Sequence, residues 1–157
     1  LLVKQYQRKV YFLIRRIVLR HEIADDLTQE VFLKIWQKIH TYKGNSKLFT
    51  WIYRIAVNEA LAYLKKERRR DIIQLEEASE SLNIAYDNSL FSGDDIYRKL
   101  IQATSELPPQ QQLIFNMRYF DEMKYEEISE ILKLSKGALK ASYHHEIKKI
   151  EKYINPD

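Results

Sequence analysis

The sequence has 157 residues with 26 Lys and Arg against 22 Asp and Glu, a formal net charge of +4. Its length suits one medium domain or two small ones, and 45% hydrophobic with 31% charged residues is a globular balance. No cysteine is present, which excludes disulfides and thiolate metal sites; no apolar run approaches membrane-spanning length, and no signal-peptide pattern opens the chain. Three Gly and three Pro leave room for few tight turns and argue for an all-helical protein. The charge is unevenly placed. Residues 1–70 hold 16 basic against 6 acidic residues, 71–106 hold 2 against 8, and 107–157 hold 8 against 8. A basic front half suits a polyanionic partner, nucleic acid being the commonest, and equally suits a solvated surface.

The first expected helix runs from about Leu2 to Arg20, with Val3, Tyr6, Val10, Leu13 and Ile17 at near-heptad spacing. The chain opens at Leu1 inside this pattern, so a trimmed N-terminus is expected. A second helix is expected from near Asp25 to about His40. Its residues Leu27, Val31, Phe32, Ile35, Trp36 and Ile39 fill one half of the surface. Leu33 points the other way, beside Asp26, Gln29, Glu30 and Gln37. One exposed leucine is ordinary, but an apolar residue ringed by polar ones is also the pattern of a helical docking face. No His completes a ligand set with these acids, so a metal is not expected.

TYKGNSK, residues 41–47, reads as a loop. In the helix that follows, KLFTWIYRIAVNEALAYLKKERRR, apolar residues occupy a broad arc. Arg54, Asn58, Lys65 and Arg69 fall within roughly 60° on the remaining side, and Glu59 sits inside the apolar arc with no evident partner. This helix is expected to dissolve into ERRRD. Residues 71–93, with the acidic Ser/Asn-rich SESLNIAYDNSLFSGDD, read as a linker. A helix is expected in DDIYRKLIQATSEL, stopped by Pro108, and Pro109 suits the first turn of the next. Near the C-terminus, KYEEISEILKL gives a short amphipathic helix. Ser135 is a credible N-cap for a final helix that buries Leu139, Tyr143, Ile147, Ile150 and Ile154. The opposite face of that helix carries Lys140, Ala141, His144, His145, Lys148 and Lys152. Two helices joined by three residues, the second basic on its outer face, describe a helix-turn-helix. His144 and His145 diverge by about 100° on a helix and cannot readily chelate one ion together.

These segments resemble, in order and over nearly the whole chain, the extracytoplasmic-function (ECF) group of bacterial sigma-70-family factors. DDLTQEVFLKIWQKI and YKGNSKLFTWIYRIAVN resemble sigma region 2, and LPPQQQLIFNMRYFDEMKYEEISEILKLSKGALKASYHHEIKKI resembles region 4. The resemblance implies two small all-α domains, residues 1–70 and 94–157, joined by a flexible acidic linker over 71–93. It implies a promoter-recognition subunit that binds core RNA polymerase through the clamp helices of its largest subunit and the beta flap. It also implies promoter DNA as ligand, an anti-sigma factor as regulator and no cofactor. The chain is then expected in the cytoplasm, on the nucleoid when active, or held at the inner membrane by that regulator.

Carried over by position, Tyr42, Lys43, Gly44, Asn45 and Ser46 would line a pocket for a flipped minus-ten base, with Asn58 beside it. A flipped base needs an aromatic surface, hydrogen bonds to its edge and close backbone approach. Trp51, Arg54 and Lys65 would hold the duplex edge and phosphates, with Lys66 and Arg68 to Arg70 adding sequence-independent affinity. Core packing remains open for Trp51 and Tyr42. Asp26, Gln29, Glu30, Leu33 and Gln37 would dock on polymerase. Lys136, Lys140, Ala141, Ser142, His144, His145 and Lys148 would meet the minus-thirty-five element. KASYHHEIKK departs from the Arg-rich text usual in the family, so base preference cannot be borrowed. No nucleophile–base pair or phosphate loop points to an enzyme. A decoy that mimics a sigma factor, or a helix-turn-helix regulator with a helical sensor domain, are the competing readings.

Overall fold

The computed structural model describes residues 1–18, 20–77 and 95–156, and all regular structure in them is helical. Three helices form the first unit: α1 Leu2–Val18, α2 His21–Lys38 and α3 Leu48–Glu77. A single 3₁₀ turn, Ile39–Thr41, follows α2. The second unit holds α4 Asp95–Ser105, α5 Pro109–Phe115, α6 Tyr125–Leu132 and α7 Lys136–Ile154.

Sequence periodicity explains the first unit. Val10, Leu13, Ile14 and Ile17 of α1 meet Ala24, Leu27, Val31 and Ile35 of α2, and Ile52, Ala56, Val57 and Ala60 of α3, all of them buried. The α2 stripe advances by three, four and four residues, the spacing of a narrow seam. α3 runs for 30 residues, about 45 Å at 1.5 Å per residue. It passes the expected boundary at residue 70 and continues to Glu77. No Gly or Pro interrupts it, and the Leu64–Arg70 stretch consists of straight-chain residues that cost a helix little. The rest of the expected linker, residues 78–93, lies outside the described residues.

In the second unit Pro109 occupies the first position of α5, where its missing N–H costs nothing. α5 leads into one π turn, Asn116–Phe120, in which the N–H of Asp121 donates to the carbonyl of Asn116. α6 ends on Lys133 in the left-handed region (φ +60°). Ser135 then caps α7: its Oγ accepts the N–H of Ala138 at 3.1 Å. Ser135→Ala should cost about 1 kcal/mol, read as a lowered urea midpoint with unchanged slope.

The two units are not held apart. Leu113, Ile114, Met117, Met123, Ile128 and Ile131 belong to the same buried cluster as the α1 and α3 residues. Polar ties cross the seam as well. Arg16 Nη2 donates to Asp121 Oδ1 at 2.7 Å, Gln112 Nε2 to the Ile17 carbonyl at 3.4 Å, and Arg54 Nη2 to the Glu130 carbonyl at 3.0 Å. The tethered-module architecture expected from sequence thus takes a closed form, with α6 lying on α3.

Candidate nucleic-acid interface and docking face

The loop between α2 and α3 is organised by its own residues. Gly44 has φ +75°, a conformation a side chain would strain, although a Cβ there would meet nothing within 4 Å. The Tyr42 hydroxyl donates to the Ser46 carbonyl and closes the loop. The Tyr42 ring lies 5.5 Å from that of Trp51, tilted by 46°, which fixes the loop against the first turn of α3. Both rings are half-buried, so each packs and also retains an open edge. Lys43, Gly44 and Asn45 are exposed and Ser46 is half-buried.

The polar stripe of α3 emerges beside this loop. Asn58, Lys65, Lys66, Arg69 and Arg70 are exposed. Arg54 is half-covered because its guanidinium reaches the α6 backbone, and its Nε is buried with no acceptor. Glu59, which the sequence left without a partner, forms an ion pair with Lys34 of α2. That pair ties α2 to α3 one residue beyond Asn58.

On α2, Asp26, Gln29, Glu30, Leu33 and Gln37 are all exposed, Leu33 at 62%. One expectation is corrected here. Trp36, assigned to the buried half of the helix, is 81% exposed. The narrow α2 stripe ends at Ile35, so Trp36 turns outward next to Leu33. Ile39, at 37%, is exposed as well. Three apolar side chains thus stand outward within two helical turns, and reading the broad apolar half as uniformly buried hid two of them. The informative signal was the tighter three–four–four spacing of Ala24, Leu27, Val31 and Ile35.

In the helix-turn-helix, Lys136, Lys140, Ala141, His144, His145 and Lys148 are exposed along α7. Lys136 Nζ sits 3.2 Å from Glu126 of α6, and Lys140 lies 5.7 Å over the Tyr125 ring. Ser142 differs from its neighbours. It is half-buried, and its hydroxyl donates at 2.6 Å to Oε1 of Glu146, a fully buried carboxyl whose Oε2 has no partner. Burial pushes the Glu146 carboxyl up to about 7, against the smaller opposing pull of Ser142 and Lys149. No group of three or more His, Cys, Asp or Glu among the described residues could hold a metal ion, and no described helix is long and apolar enough to cross a membrane.

Comparison with known families decides what this arrangement belongs to. A model of Sigma-70 region 2 matches residues 2–70, and a model of Sigma-70, region 4, matches residues 97–150. The "ECF RNA polymerase sigma-E factor" of Haemophilus influenzae is 32% identical over 168 residues, covering 99% of this chain and 87% of that protein. The chain is an ECF sigma factor of the sigma-70 family. The protein of the same name from Escherichia coli K12 is 30% identical over 165 residues, covering 99% of this sigma factor and 86% of its relative. Among solved structures, the sigma factor RpoE in complex with the anti-sigma factor NepR from Bartonella quintana shares the fold with a TM-score of 0.78. That likeness spans 99% of this chain and 95% of the other at 19% identity. CnrH, solved with the cytosolic domain of CnrY, gives 0.73 over 99% and 86% at 15% identity.

Proposed function

We propose that this sigma factor docks on core RNA polymerase through the outer face of α2, opens the minus-ten element with the 42–46 loop and the α3 stripe, and reads the minus-thirty-five element with α7. The supporting observation is the pairing, within one three-helix unit, of an outward apolar face with an aromatic-edged basic loop. Leu33 and Trp36, ringed by Gln29, Glu30 and Gln37, have the make-up of an interface centre with a polar rim. On the other site, Tyr42 offers a ring edge, Asn58 an amide and Gly44 a bare backbone. These are the groups that can hold an extruded base and offset the few kcal/mol that unstacking costs. Exposed Lys65, Lys66, Arg69 and Arg70 supply affinity to the phosphates without reading sequence. On α7 the exposed Lys and His residues suit base edges and phosphates, and Ala141 permits close approach. Ser142 takes no part in this reading, since its hydroxyl is committed to Glu146.

The clamp helices of the largest subunit fit the α2 face, and the beta flap is the further contact assigned to region 4. Residues 1–70 and 94–157 act as the two functional units. The factor works in the cytoplasm on the nucleoid. An anti-sigma factor controls it, a reading supported by the capture of the similarly folded RpoE with the anti-sigma factor NepR, and such a partner can hold it at the inner membrane.

The test is polymerase-dependent transcription. The chain is mixed with bacterial core polymerase and fragmented genomic DNA, and the transcript starts are sequenced. Defined starts sharing two upstream motifs are the expected result; core binding without specific starts would favour a decoy, and no binding to core would favour a simple regulator. Within this assay Tyr42→Ala and Asn58→Ala should each lower promoter opening about tenfold or more, followed by permanganate reactivity of unpaired thymines, while core binding stays at wild-type level.

A further inference from the structure

Glu146 holds a place in α7 that the DNA contacts do not use. At 100° per residue it falls with Leu139, Tyr143 and Ile150, at the centre of the arc that α7 turns to the core. Its side chain is fully buried there. Lys140, His144 and Lys148 are exposed on the outer face of the same helix. A helix is about 10 Å across with its side chains, close to the Debye length at 0.1 M salt. A charge on the inner face is therefore felt at the outer one.

Two side chains on one flank of α7 bear on the carboxyl. Ser142 donates to Oε1 at 2.6 Å, while Oε2 is buried with no partner. Lys149 is the charged group that acts on it among the described residues, and Lys149 Nζ itself donates to Gln111 Oε1 of α5 at 3.1 Å. The helices packed against α7 bring no counter-charge of their own among the described residues. α5 has no titratable residue. Those of α4 are Asp95, Tyr97, Arg98 and Lys99, and all precede Leu100 and Ala103, which pack with Ile150. On α6, Glu126 and Glu127 pair with Lys136 and Lys47, and Glu130 is exposed. Tyr125 of α6, with Arg118 and Tyr119 of the π turn, acts on Tyr143 instead. Burial favours the neutral acid and pushes Glu146 up to about 7, so near neutrality it holds a proton only part of the time.

An ionised carboxylate is costly in that core. Relief lies toward Ser142 and Lys149 at the edge of the outer face, or in a loosened α7. Both oppose DNA binding: the first sets a negative charge beside the cations, and the second blurs the face that carries them. We infer that Glu146 is a positioning residue for promoter reading: its proton keeps α7 seated, and loss of that proton weakens the hold of the helix on DNA. By linkage, DNA bound to α7 raises the proton affinity of the carboxyl in return. This inference rests on the nucleic-acid reading of α7 given above.

Fluorescence anisotropy of the full chain with a labelled random duplex of about 25 base pairs, followed from pH 6 to pH 8 at fixed ionic strength, tests it. Wild-type affinity should fall as pH rises, roughly fivefold more than that of Glu146→Gln, the scale of one phosphate contact. Both proteins keep His144 and His145, so histidine titration is common to the two profiles. Ser142→Ala should move the fall to higher pH, because its hydroxyl donates to the carboxylate and favours the charged form. A purely structural Glu146 would show neither the slope nor the shift. The inference is overturned if wild type and Glu146→Gln share one pH profile, or if Ser142→Ala leaves the midpoint where it was. Lys140→Ala separates that failure from failure of the reading beneath it. If this variant binds duplex more weakly, α7 is in contact with DNA, and a shared profile then sinks this inference alone. Unchanged binding by Lys140→Ala would sink the α7 reading, and this inference with it.

Discussion

Trp36→Ala should abolish tight binding to core polymerase while leaving the sigma factor folded. A Trp that is 81% exposed beside a Leu at 62% contributes little to the stability of the free chain, so the substitution should change it by no more than about 0.5 kcal/mol. Buried at the centre of an interface, the same side chain is of the kind whose truncation costs about 2 to 4 kcal/mol, roughly 30- to 1000-fold in Kd. Leu33→Asp should act in the same direction, because it places a charge where water is excluded. Titration of labelled core polymerase measures the affinity, and circular dichroism checks that the helices persist. Wild-type affinity in both variants would move the docking surface off α2. Loss of binding should remove all transcription, in contrast to Tyr42→Ala and Asn58→Ala, which should bind polymerase and fail later.

Glu146→Gln should make the protein more stable in mildly alkaline buffer and little different in mild acid. Burial raises the folded-state carboxyl to about 7 from an ordinary value of 4.5. Between those pH values the native state keeps a proton that the unfolded state has released. Stability therefore falls as pH rises through this window and levels off above it. A shift of that size corresponds to about 3 kcal/mol at most, and part is recovered by local relaxation. Glutamine can still accept the Ser142 hydroxyl but carries no charge. At pH 8 the variant should gain about 2 kcal/mol, a Tm increase of roughly 4–8 °C, and the gain should shrink towards pH 5. A gain that does not depend on pH would mean that Glu146 acts through packing rather than ionisation.

Helix order, the loop at 41–47, the Ser135 cap and the exposed basic face of α7 were all legible in the sequence, because each depends on local spacing. Trp36 was not, since its fate depends on how wide a stripe α2 buries, which α1 and α3 decide. Glu59 could not be paired from sequence, because Lys34 is 25 residues away on another helix. Ser142 shares the outer arc of α7 by number, yet its hydroxyl turns to a carboxyl one helical turn on, and only the burial of Glu146 makes that bond preferred. Arg54 belongs to the stripe as expected, but no periodicity shows that α6 covers it. The missing information in every case was long-range: which surface meets which. The role proposed for the loop rests on the resemblance, since physics alone would have left an aromatic turn with a basic rim.

The seam joins residues 10–60 to residues 113–139, and this fixes an order of events at the ribosome. The three helices of the first unit pack on one another and are the first to emerge. The helix that covers Arg54 of its stripe is made some 70 residues later, about 4–14 s at ordinary elongation rates. Every new molecule therefore passes through a stage in which the outer face of α2 and the basic stripe of α3 are complete and Arg54 is uncovered. Translation speed, and any partner waiting at the exit tunnel, then help set how many chains are captured before they close.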